Sequence, residues 1–295
     1  MTIPKRIIFS RKGFDSTGRY GGSPSPIFDG KRLLSLPIPE DKKMTIRYLD
    51  LLDPSGQFPS LGPIVEQLTK SKLDSNRFAH LDPDLRRDSV SHRKPGWREI
   101  FGQVDQSQTH LCNQGIGKGD LFLFYGLYRN VTVTDGEVRY VPGEPAKHVI
   151  WGWLTVGEVL KVSSETDGPE WAHYHPHFTD QRALNNTVYV ADDRVFEELP
   201  GAGVFENYHP DLCLTYLAQK KIRASHWILP KWCVPRHGQY PLTYHRRDAC
   251  WQIRDDQVVL QTKSPGQEFV LNTDTYPEAL EWAKNLIKRG IDHTR

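Results

Sequence analysis

The sequence predicts an α+β protein built on a mostly antiparallel sheet or barrel, with peripheral helices and long loops. Residues 121–125 form a continuous apolar run that is typical of a strand covered on both faces. The dipeptide Asp135-Gly136 separates two β-rich segments and predicts a tight hairpin, because both residues accept positive φ. Residues 275–290 begin with a capping box and carry one apolar stripe, which predicts a C-terminal helix.

The remaining elements follow from short β-rich runs that are bounded by glycine, proline and polar residues. In chain order, strands are predicted at residues 7–9, 32–38, 121–125, 131–134, 138–141, 149–162 and 186–191, and a short helix at 64–70. Gly152 and Gly157 lie inside the long run at 149–162, where they indicate β-bulges. Residues 74–118 are polar and irregular, and they include many of the chemically unusual residues.

Length and composition bound the organisation of the protein. We expect a single domain over residues 1–295, with a soft boundary near residue 200 at a Pro-Gly-Ala-Gly run. A net charge of +2 excludes a strongly polybasic protein, so nucleic-acid binding requires a local patch. The four cysteines form no Cys-x-x-Cys pair, which indicates reduced thiols. Since neither a signal peptide nor a run of ~20 apolar residues is present, we expect a cytoplasmic protein without membrane contact.

The loop at residues 10–27 combines cations, a carboxylate, hydroxyls and glycines. Arginine and lysine bind phosphates or carboxylates, and adjacent glycines let backbone N–H groups approach an anion. We therefore expect an anionic or nucleotide-like ligand here, with Asp15 as a candidate catalytic base. The candidate substrate ligands in this loop are Arg11, Lys12, Ser16, Ser23 and Ser25. The alternative is a salt-bridged turn capped by serine and aspartate.

A first compact motif, His80-x-Asp82-x-Asp84, places an imidazole and two carboxylates within five residues. Such a set could bind a divalent ion or form an acid/base pair, and Asp82 is a candidate catalytic residue. The same spacing also suits an Asx-turn, which is the structural alternative.

A second motif, His173-x-His175-x-His177, places three imidazoles at alternate positions. On a strand they would share one face, where they could bind zinc, iron or manganese or act as acid/base groups. Pro176 opposes a regular central strand, and structural hydrogen bonding is the alternative. His175 and His177 are candidate catalytic residues. The candidate ligands of a divalent metal such as zinc are His173, His175, His177 and Asp82.

Several side-chain amides precede the strand at 121–125. Side-chain amides can form specific hydrogen bonds with the edges of bases. The alternative is that they form structural hydrogen bonds that cap loops. We treat Gln103 and Gln108 as candidate substrate ligands and His110 as a candidate catalytic residue.

Residues 227–247 interleave aromatic rings with cations. Rings stack on bases while cations contact phosphates, so this segment is the predicted nucleic-acid surface. The candidate ligands are Lys231, Trp232, Arg236, Tyr244, Arg246 and Arg247. The alternative is an ordinary solvated loop region. This basic and aromatic segment and the C-terminal helix lie in residues 200–295, beyond the boundary expected near residue 200.

Several sequence blocks occur in a fixed order, beginning with Ser-Arg-Lys-Gly-Phe-Asp-Ser at residues 10–16 and Gly-Gly-Ser-Pro-Ser-Pro-Ile at residues 21–27. The later blocks lie at residues 35–39, 80–85, 101–103, 108–115, 119–124, 174–177 and 186–190. Together they resemble the third family of nucleotide modification associated domains, and within them Asn186 is a further candidate substrate ligand. Residues 119–159 are similar to the middle of the PUA-like barrels, which include the EVE and ASCH domains.

The resemblance implies a role in the modification of DNA bases, often in phage or mobile-element settings. Our first hypothesis is an enzyme that tailors a modified nucleobase in DNA, with the conversion of a cyano-deazaguanine to its amide as the specific candidate. The alternatives are a non-catalytic PUA-like reader of modified bases and a metal-dependent nuclease of modified DNA. The expected partners are DNA or a modified nucleotide, and other base-modification enzymes.

Overall fold

A computed structural model of the chain describes residues 3–15, 22–42, 44–163, 168–179, 185–236, 238–254, 256–263 and 268–292. Its strands are β1 (Arg6–Arg11), β2 (Ser25–Phe28), β3 (Arg32–Leu33), β4 (Ile38–Glu40), β5 (Phe78–His80), β6 (Ile100–Gln103), β7 (Leu121–Thr134), β8 (Glu137–Tyr140), β9 (Lys147–Lys161), β10 (Thr187–Ala191), β11 (Arg194–Val195), β12 (Leu199–Pro200), β13 (Ala202–Val204), β14 (His226–Pro230), β15 (Trp251–Ile253), β16 (Gln257–Gln261) and β17 (Glu268–Asn272). Its helices are α1 (Leu61–Leu68), α2 (Asp105–Asn113), α3 (Pro176–Thr179) and α4 (Glu278–Asp292). The predicted α+β class, with mostly antiparallel strands, is confirmed.

The main sheet is built around its two longest strands, β7 and β9, which pair antiparallel. Its strand order is β17-β1-β7-β9-β10-β6, with β2, β3, β8 and β13 attached beside this path. β1 and β2 run parallel to β7, whereas the other pairs are antiparallel. Among the described residues the end strands β17 and β6 share no backbone ladder, so the sheet is not a closed barrel. The two strands nevertheless lie close together, because Gln103 donates a hydrogen bond to Glu268.

The core is centred on the first half of β7, whose first six residues are buried as the continuous apolar run predicts. Phe122 and Phe124 on this strand pack against Phe101 of β6, with ring centroids 5.0 and 5.1 Å apart. Trp227 of β14 is fully buried and packs edge-on against Tyr125 at 4.9 Å. Residues beyond the predicted soft boundary therefore contribute to the same core as the central strands.

Several local predictions are confirmed. The hairpin turns at Asp135-Gly136, where both residues have positive φ. The register of the β9–β10 ladder shifts opposite Gly157, which is the predicted bulge. The C-terminal helix is α4, and the short helix predicted at 64–70 is α1. None of the helices in the described ranges is long and apolar enough to cross a membrane.

Two local predictions differ from the structure. The strand predicted at 32–38 is two short strands, β3 and β4, because the Leu36 N–H bonds the Ser25 hydroxyl instead of extending a ladder. The irregular region at 74–118 contains β5, β6 and α2. Only Gln108 and Leu111 of α2 are buried, so the helix has no apolar stripe that its sequence could reveal.

His148 on β9 is a buried histidine that the fold keeps neutral. Its Nδ1 accepts a 2.9 Å hydrogen bond from the indole N–H of Trp227, which is possible only when Nδ1 carries no proton. Burial, with a smaller contribution from the charge of Arg11, lowers the pKa of His148 to about 4. The unfolded chain takes up this proton near pH ~6.5 and the folded chain does so only near its lowered pKa, so stability falls as the pH decreases between these values.

We expect His148→Gln to weaken the pH dependence of stability. Between about pH 7.5 and pH 5.5, the wild type should lose about 1.4 kcal/mol of unfolding free energy through His148, and the variant should lose that much less. Urea unfolding at the two pH values measures this difference. The matched control is His92→Gln, which changes an exposed histidine and should keep the wild-type dependence. An unaltered dependence in His148→Gln would contradict a neutral His148.

Candidate active site

Asp82 follows β5 and is a buried carboxylate surrounded by three histidines. The backbone N–H of Gly102 donates a 2.7 Å hydrogen bond to its Oδ1, and His175 Nε2 lies 3.3 Å from the same oxygen. The other oxygen, Oδ2, lies 3.4 Å from His177 Nε2 and 3.8 Å from His80 Nε2. We call these four side chains (Asp82, His80, His175 and His177) the His–Asp cluster.

Charge is unevenly distributed in the His–Asp cluster. Burial alone raises the pKa of Asp82, but contacts with His175 and His177 outweigh it and hold the pKa well below its ordinary value. Burial lowers the pKa of the His175 imidazole, against the opposing charge of Asp82. The cluster therefore combines an ionised carboxylate with a neutral imidazole, a pair that can hold a water molecule and take a proton from it.

The segment that carries the three predicted histidines is helical rather than extended. A 3-10 helix (Glu170–Ala172) leads through a turn into α3, and the Phe178 N–H donates to the carbonyl of His175. Because the chain turns between the two helices, His173 is exposed whereas His175 and His177 are buried. The strand geometry predicted for this motif is wrong, and His173 lies outside the His–Asp cluster.

His177 is held in one orientation by Asn186. The two residues are linked twice, by Nδ1 of His177 at 2.7 Å from Asn186 Oδ1 and by Asn186 Nδ2, which donates a 2.7 Å hydrogen bond to the His177 carbonyl. Since an amide oxygen only accepts, Nδ1 carries the proton. Asn186, a predicted substrate ligand, is 2% exposed and uses its side chain to position His177.

Asp84 anchors the neighbouring segments without joining the cluster. Arg93 donates two hydrogen bonds, of 2.6 and 2.9 Å, to its carboxylate, and the Tyr174 hydroxyl donates a third. The indole N–H of Trp97 donates to the Tyr174 oxygen at 2.8 Å. This network ties Tyr174 to the 82–84 segment, and it thereby holds the adjacent histidine of the cluster in place.

A second polar group lies beside the first, and we call it the Lys–Glu cluster (Lys12, Gln103 and Glu268). Lys12 Nζ is 4.0 Å from Glu268 Oε1, and Gln103 Nε2 donates a hydrogen bond to the same oxygen. All three residues are buried. Burial raises the pKa of Glu268, against the opposing effects of Lys12 and Gln103. A carboxyl group with a raised pKa can donate a proton or a hydrogen bond.

Strand β6 joins the two clusters, because Gly102 contacts Asp82 while Gln103 contacts Glu268. The charge of Asp82 adds to the burial that raises the pKa of Glu268. The site thus lies where the end strands β6 and β17 face each other. The sequence analysis does not select Glu268, because this residue lies outside the blocks that resemble the family. The one feature that could have indicated it is its position directly before the apolar residues 269–271.

The N-terminal loop contributes Lys12 to this site, whereas Arg11 and Asp15 pair with each other. Asp15 contacts Arg11 through Oδ2 and accepts a 3.0 Å hydrogen bond from the Leu127 N–H through Oδ1. These contacts form the salt-bridged turn that was the alternative for the loop. Within the described residues, no hydrogen bond or ion pair links Asp15 to the His–Asp cluster.

The three predicted serine ligands have different surroundings. The Ser25 hydroxyl is buried and accepts a hydrogen bond from the Leu36 N–H at 3.2 Å. Ser23 is partly buried beside the phenol of Tyr140. Ser16 lies outside the described residues.

The two predicted site residues on α2 face other neighbours. Gln108 accepts a 3.0 Å hydrogen bond from the Tyr189 hydroxyl and donates one to Cys112 Sγ at 3.2 Å. His110 Nε2 lies 3.2 Å from the Thr243 hydroxyl. Both side chains therefore tie α2 to its surroundings, and in the described structure neither contacts the two clusters.

Part of the predicted nucleic-acid segment packs against α4. Arg236 forms an ion pair with Glu278 at 2.8 Å, and the ring of Trp232 lies 6.1 Å from that of Trp282. These two contacts give Arg236 and Trp232 a structural explanation. The remaining candidates of the segment are exposed: Lys231, Tyr244, Arg246 and Arg247.

Tyr244 is exposed and packs against His110 of α2. Its ring centroid is 4.5 Å from that of His110, and burial together with the charge of Glu268 raises the pKa of its phenol. The charge of Arg246 acts on His110, whose pKa is lowered mainly by burial. Tyr244 and Arg246 therefore form an exposed aromatic and cationic surface beside His110, which we call the rim.

One family model matches the chain, over residues 6–272, and it is described as nucleotide modification associated domain 3. The match begins with β1 and ends with β17, whose outermost residues Arg6 and Asn272 are paired in the sheet. It therefore spans both clusters and, among the helices of the described residues, leaves out α4. Comparisons with curated proteins and with solved structures find no match.

We expect Gly102→Ala to disrupt the His–Asp cluster, because a Cβ at this position would lie 2.2 Å from the His177 ring. That ring cannot yield easily, since Asn186 holds it. Overpacking of this kind costs about 1–3 kcal/mol of unfolding free energy, which denaturant unfolding would measure. The control is Gly117→Ala, where the added Cβ would meet nothing within 4 Å. Equal stability of the two variants would contradict the tight contact.

Proposed function

Because the chain belongs to the nucleotide modification associated domain 3 family, we propose that it is an enzyme that alters a nucleobase of DNA. Membership links the chain to nucleotide modification. One observation carries the proposal of catalysis: the His–Asp and Lys–Glu clusters converge on adjacent residues of β6. A strand edge does not need this many buried polar side chains in order to pack. Perturbed pKa values such as those of Asp82, His175 and Glu268 are typical of reactive sites.

The Lys–Glu cluster supplies the groups that would recognise the base. The Gln103 amide and the Glu268 carboxyl can form paired hydrogen bonds with the edge of a base. Lys12 adds a positive charge beside them, where it would stabilise negative charge that develops on the base. The low exposure of all three side chains means that the base would have to leave the stack and enter the site.

The His–Asp cluster supplies the groups that would handle water. In the hydration of a cyano group, the water oxygen adds to the nitrile carbon while a proton of the water passes to the cluster. Glu268 gives its proton to the nitrile nitrogen, which yields an imidic acid. The imidic acid tautomerises to the amide, and the proton held by the cluster restores Glu268. The conversion of a cyano-deazaguanine to its amide is therefore the specific reaction that we propose.

The rim would hold the DNA around the extruded base. The Tyr244 ring is 46% exposed and can stack on a neighbouring base, and Arg246 is exposed and can contact a phosphate. Arg247 extends the same cationic surface. Because the net charge of the protein is only +2, this local patch is the part of the described surface that we assign to DNA.

We expect the purified protein to add the mass of one water to the cyano-deazaguanine of a DNA substrate. Mass spectrometry of the digested nucleosides measures the change. Glu268→Gln keeps the shape of the side chain but removes its transferable proton, and should slow the reaction by about 10²–10⁴-fold. The control is Glu158→Gln, an exposed carboxylate on β9, which should react like the wild type.

Two outcomes would overturn this proposal. Unchanged nucleosides with retained binding of the modified DNA would indicate a reader without catalysis. Cleaved strands that carry unaltered bases would indicate a nuclease. A melting curve of Glu268→Gln, taken beside that of the control variant, separates lost chemistry from lost folding.

A further inference from the structure

We propose that His80, Asp82 and His177 bind one divalent transition-metal ion, with zinc or ferrous iron as the ions that this ligand set suits. The proposal shares its site with the proposed function, but it is tested without any nucleic acid. It changes the ligand set expected from the sequence, since His80 enters it and His173, which is exposed, leaves it.

The two oxygens of Asp82 have different surroundings. Oδ1 accepts the hydrogen bond from the Gly102 N–H and lies near His175. Within the described residues, the polar neighbours of Oδ2 are imidazole nitrogens, from His177 at 3.4 Å and His80 at 3.8 Å. Both separations are long for a hydrogen bond to a charged oxygen, which is typically 2.7–2.9 Å. Oδ1 is thus hydrogen-bonded to the protein backbone, whereas Oδ2 faces two nitrogen atoms that could bind the same metal ion.

The separations suit a shared ion. Zinc binds histidine nitrogen and carboxylate oxygen at about 2.0–2.2 Å, so two ligand atoms on a tetrahedral ion lie roughly 3.4 Å apart. The distance from Asp82 Oδ2 to His177 Nε2 has this value, and the distance to His80 Nε2 is 0.4 Å longer. The three ligand atoms all lie within 4.8 Å of one another. Small side-chain movements would therefore complete the coordination.

The tautomer of His177 also favours an ion at this position. Nδ1 of His177 donates to Asn186 Oδ1, so in the neutral imidazole Nε2 presents a lone pair to the Asp82 carboxylate. A lone pair that faces a carboxylate at 3.4 Å is unfavourable unless a proton or a metal ion lies between them. A metal ion satisfies both groups at once.

Each ligand histidine also has the outer partner that metal sites use. Asn186 accepts from Nδ1 of His177, and Glu40 Oε2 lies 3.5 Å from Nδ1 of His80. Outer carboxylates and carbonyls of this kind fix the tautomer and orientation of a ligand histidine.

The proposed site has one open side. The side chains of His80 and Glu40 are 25% and 23% exposed, whereas those of Asp82 and His177 are almost fully buried. Two histidines and one carboxylate leave further coordination positions for water or substrate, as in catalytic zinc and non-haem iron sites. A bound ion would lower the pKa of its water molecule, which would strengthen the water-activating role of the His–Asp cluster.

The test is metal binding by the full chain. The protein is stripped of metal with a chelator and reconstituted separately with Zn²⁺ and, under anaerobic conditions, with Fe²⁺. Each sample is then desalted and its metal content is measured. In a parallel sample, the visible absorption after addition of Co²⁺ reports the coordination of the ion. We expect about one ion per chain. Glu40→Gln should weaken binding by about 10–100-fold, and His80→Gln by more. His173→Gln, an exposed histidine of the same segment, is the matched control and should bind like the wild type.

Thermal denaturation gives a second readout, because an ion that binds only the folded state raises the melting temperature. The rise should occur in the wild type and in His173→Gln, but not in His80→Gln, which is partly exposed and so expected to fold. The inference is wrong if the wild type retains no stoichiometric metal or if His80→Gln binds as tightly as the wild type. Metal binding without base alteration would overturn the proposed function alone, and base alteration by a protein that retains no stoichiometric metal after reconstitution would overturn this inference alone.

Discussion

The burial of the Asp82 carboxylate is the constraint on which the arrangement of the site depends. A buried charge is costly unless hydrogen bonds and opposite charges surround it. The partners of Asp82 come from separate parts of the chain: the Gly102 N–H from β6, His175 and His177 from the start of α3, and His80 from the end of β5. The contacts of this one carboxylate therefore hold together three segments of the chain: the end of β5, strand β6 and the start of α3.

The open edge of the main sheet gives these groups their place. If β6 and β17 were paired, their backbone groups would form a ladder and their side chains would pack across it. Instead the two strands meet through the side chains of Gln103 and Glu268, beside Lys12. Buried polar side chains thus connect the two end strands, while Phe101 of β6 packs against Phe122 and Phe124 of β7.

Asp82 and Asp84 show how the partner decides what a carboxylate can do. Arg93 binds Asp84 in two hydrogen bonds, and because a guanidinium does not exchange its proton near neutral pH, this pair serves as a structural contact. Asp82 is paired with imidazoles, which exchange protons and bind metals near neutral pH. Two buried carboxylates of one motif therefore differ in their partners: Asp84 is a structural anchor, and Asp82 is the centre of the candidate site.

The sequence by itself determined the α+β class, the central strands, the hairpin and the C-terminal helix. These elements depend on local periodicity and turn chemistry, which neighbouring residues carry. It also identified the family and several residues that the site contains, among them Lys12, Asp82, Gln103 and His175. The sequence did not distinguish these residues from candidates with the same kind of side chain, such as Asp15. Local sequence patterns do not show which segments of the chain contact each other in the folded protein.

Only the tertiary structure decided which candidates converge. Glu268 enters the site because β17 pairs with β1, which sets it beside Ser10 and near Lys12. His173 leaves the site because the chain turns before α3, whereas His80 joins it. The physical reason is that burial, pairing and pKa are set by contacts between segments far apart in the chain, and such contacts exist only after the sheet has assembled.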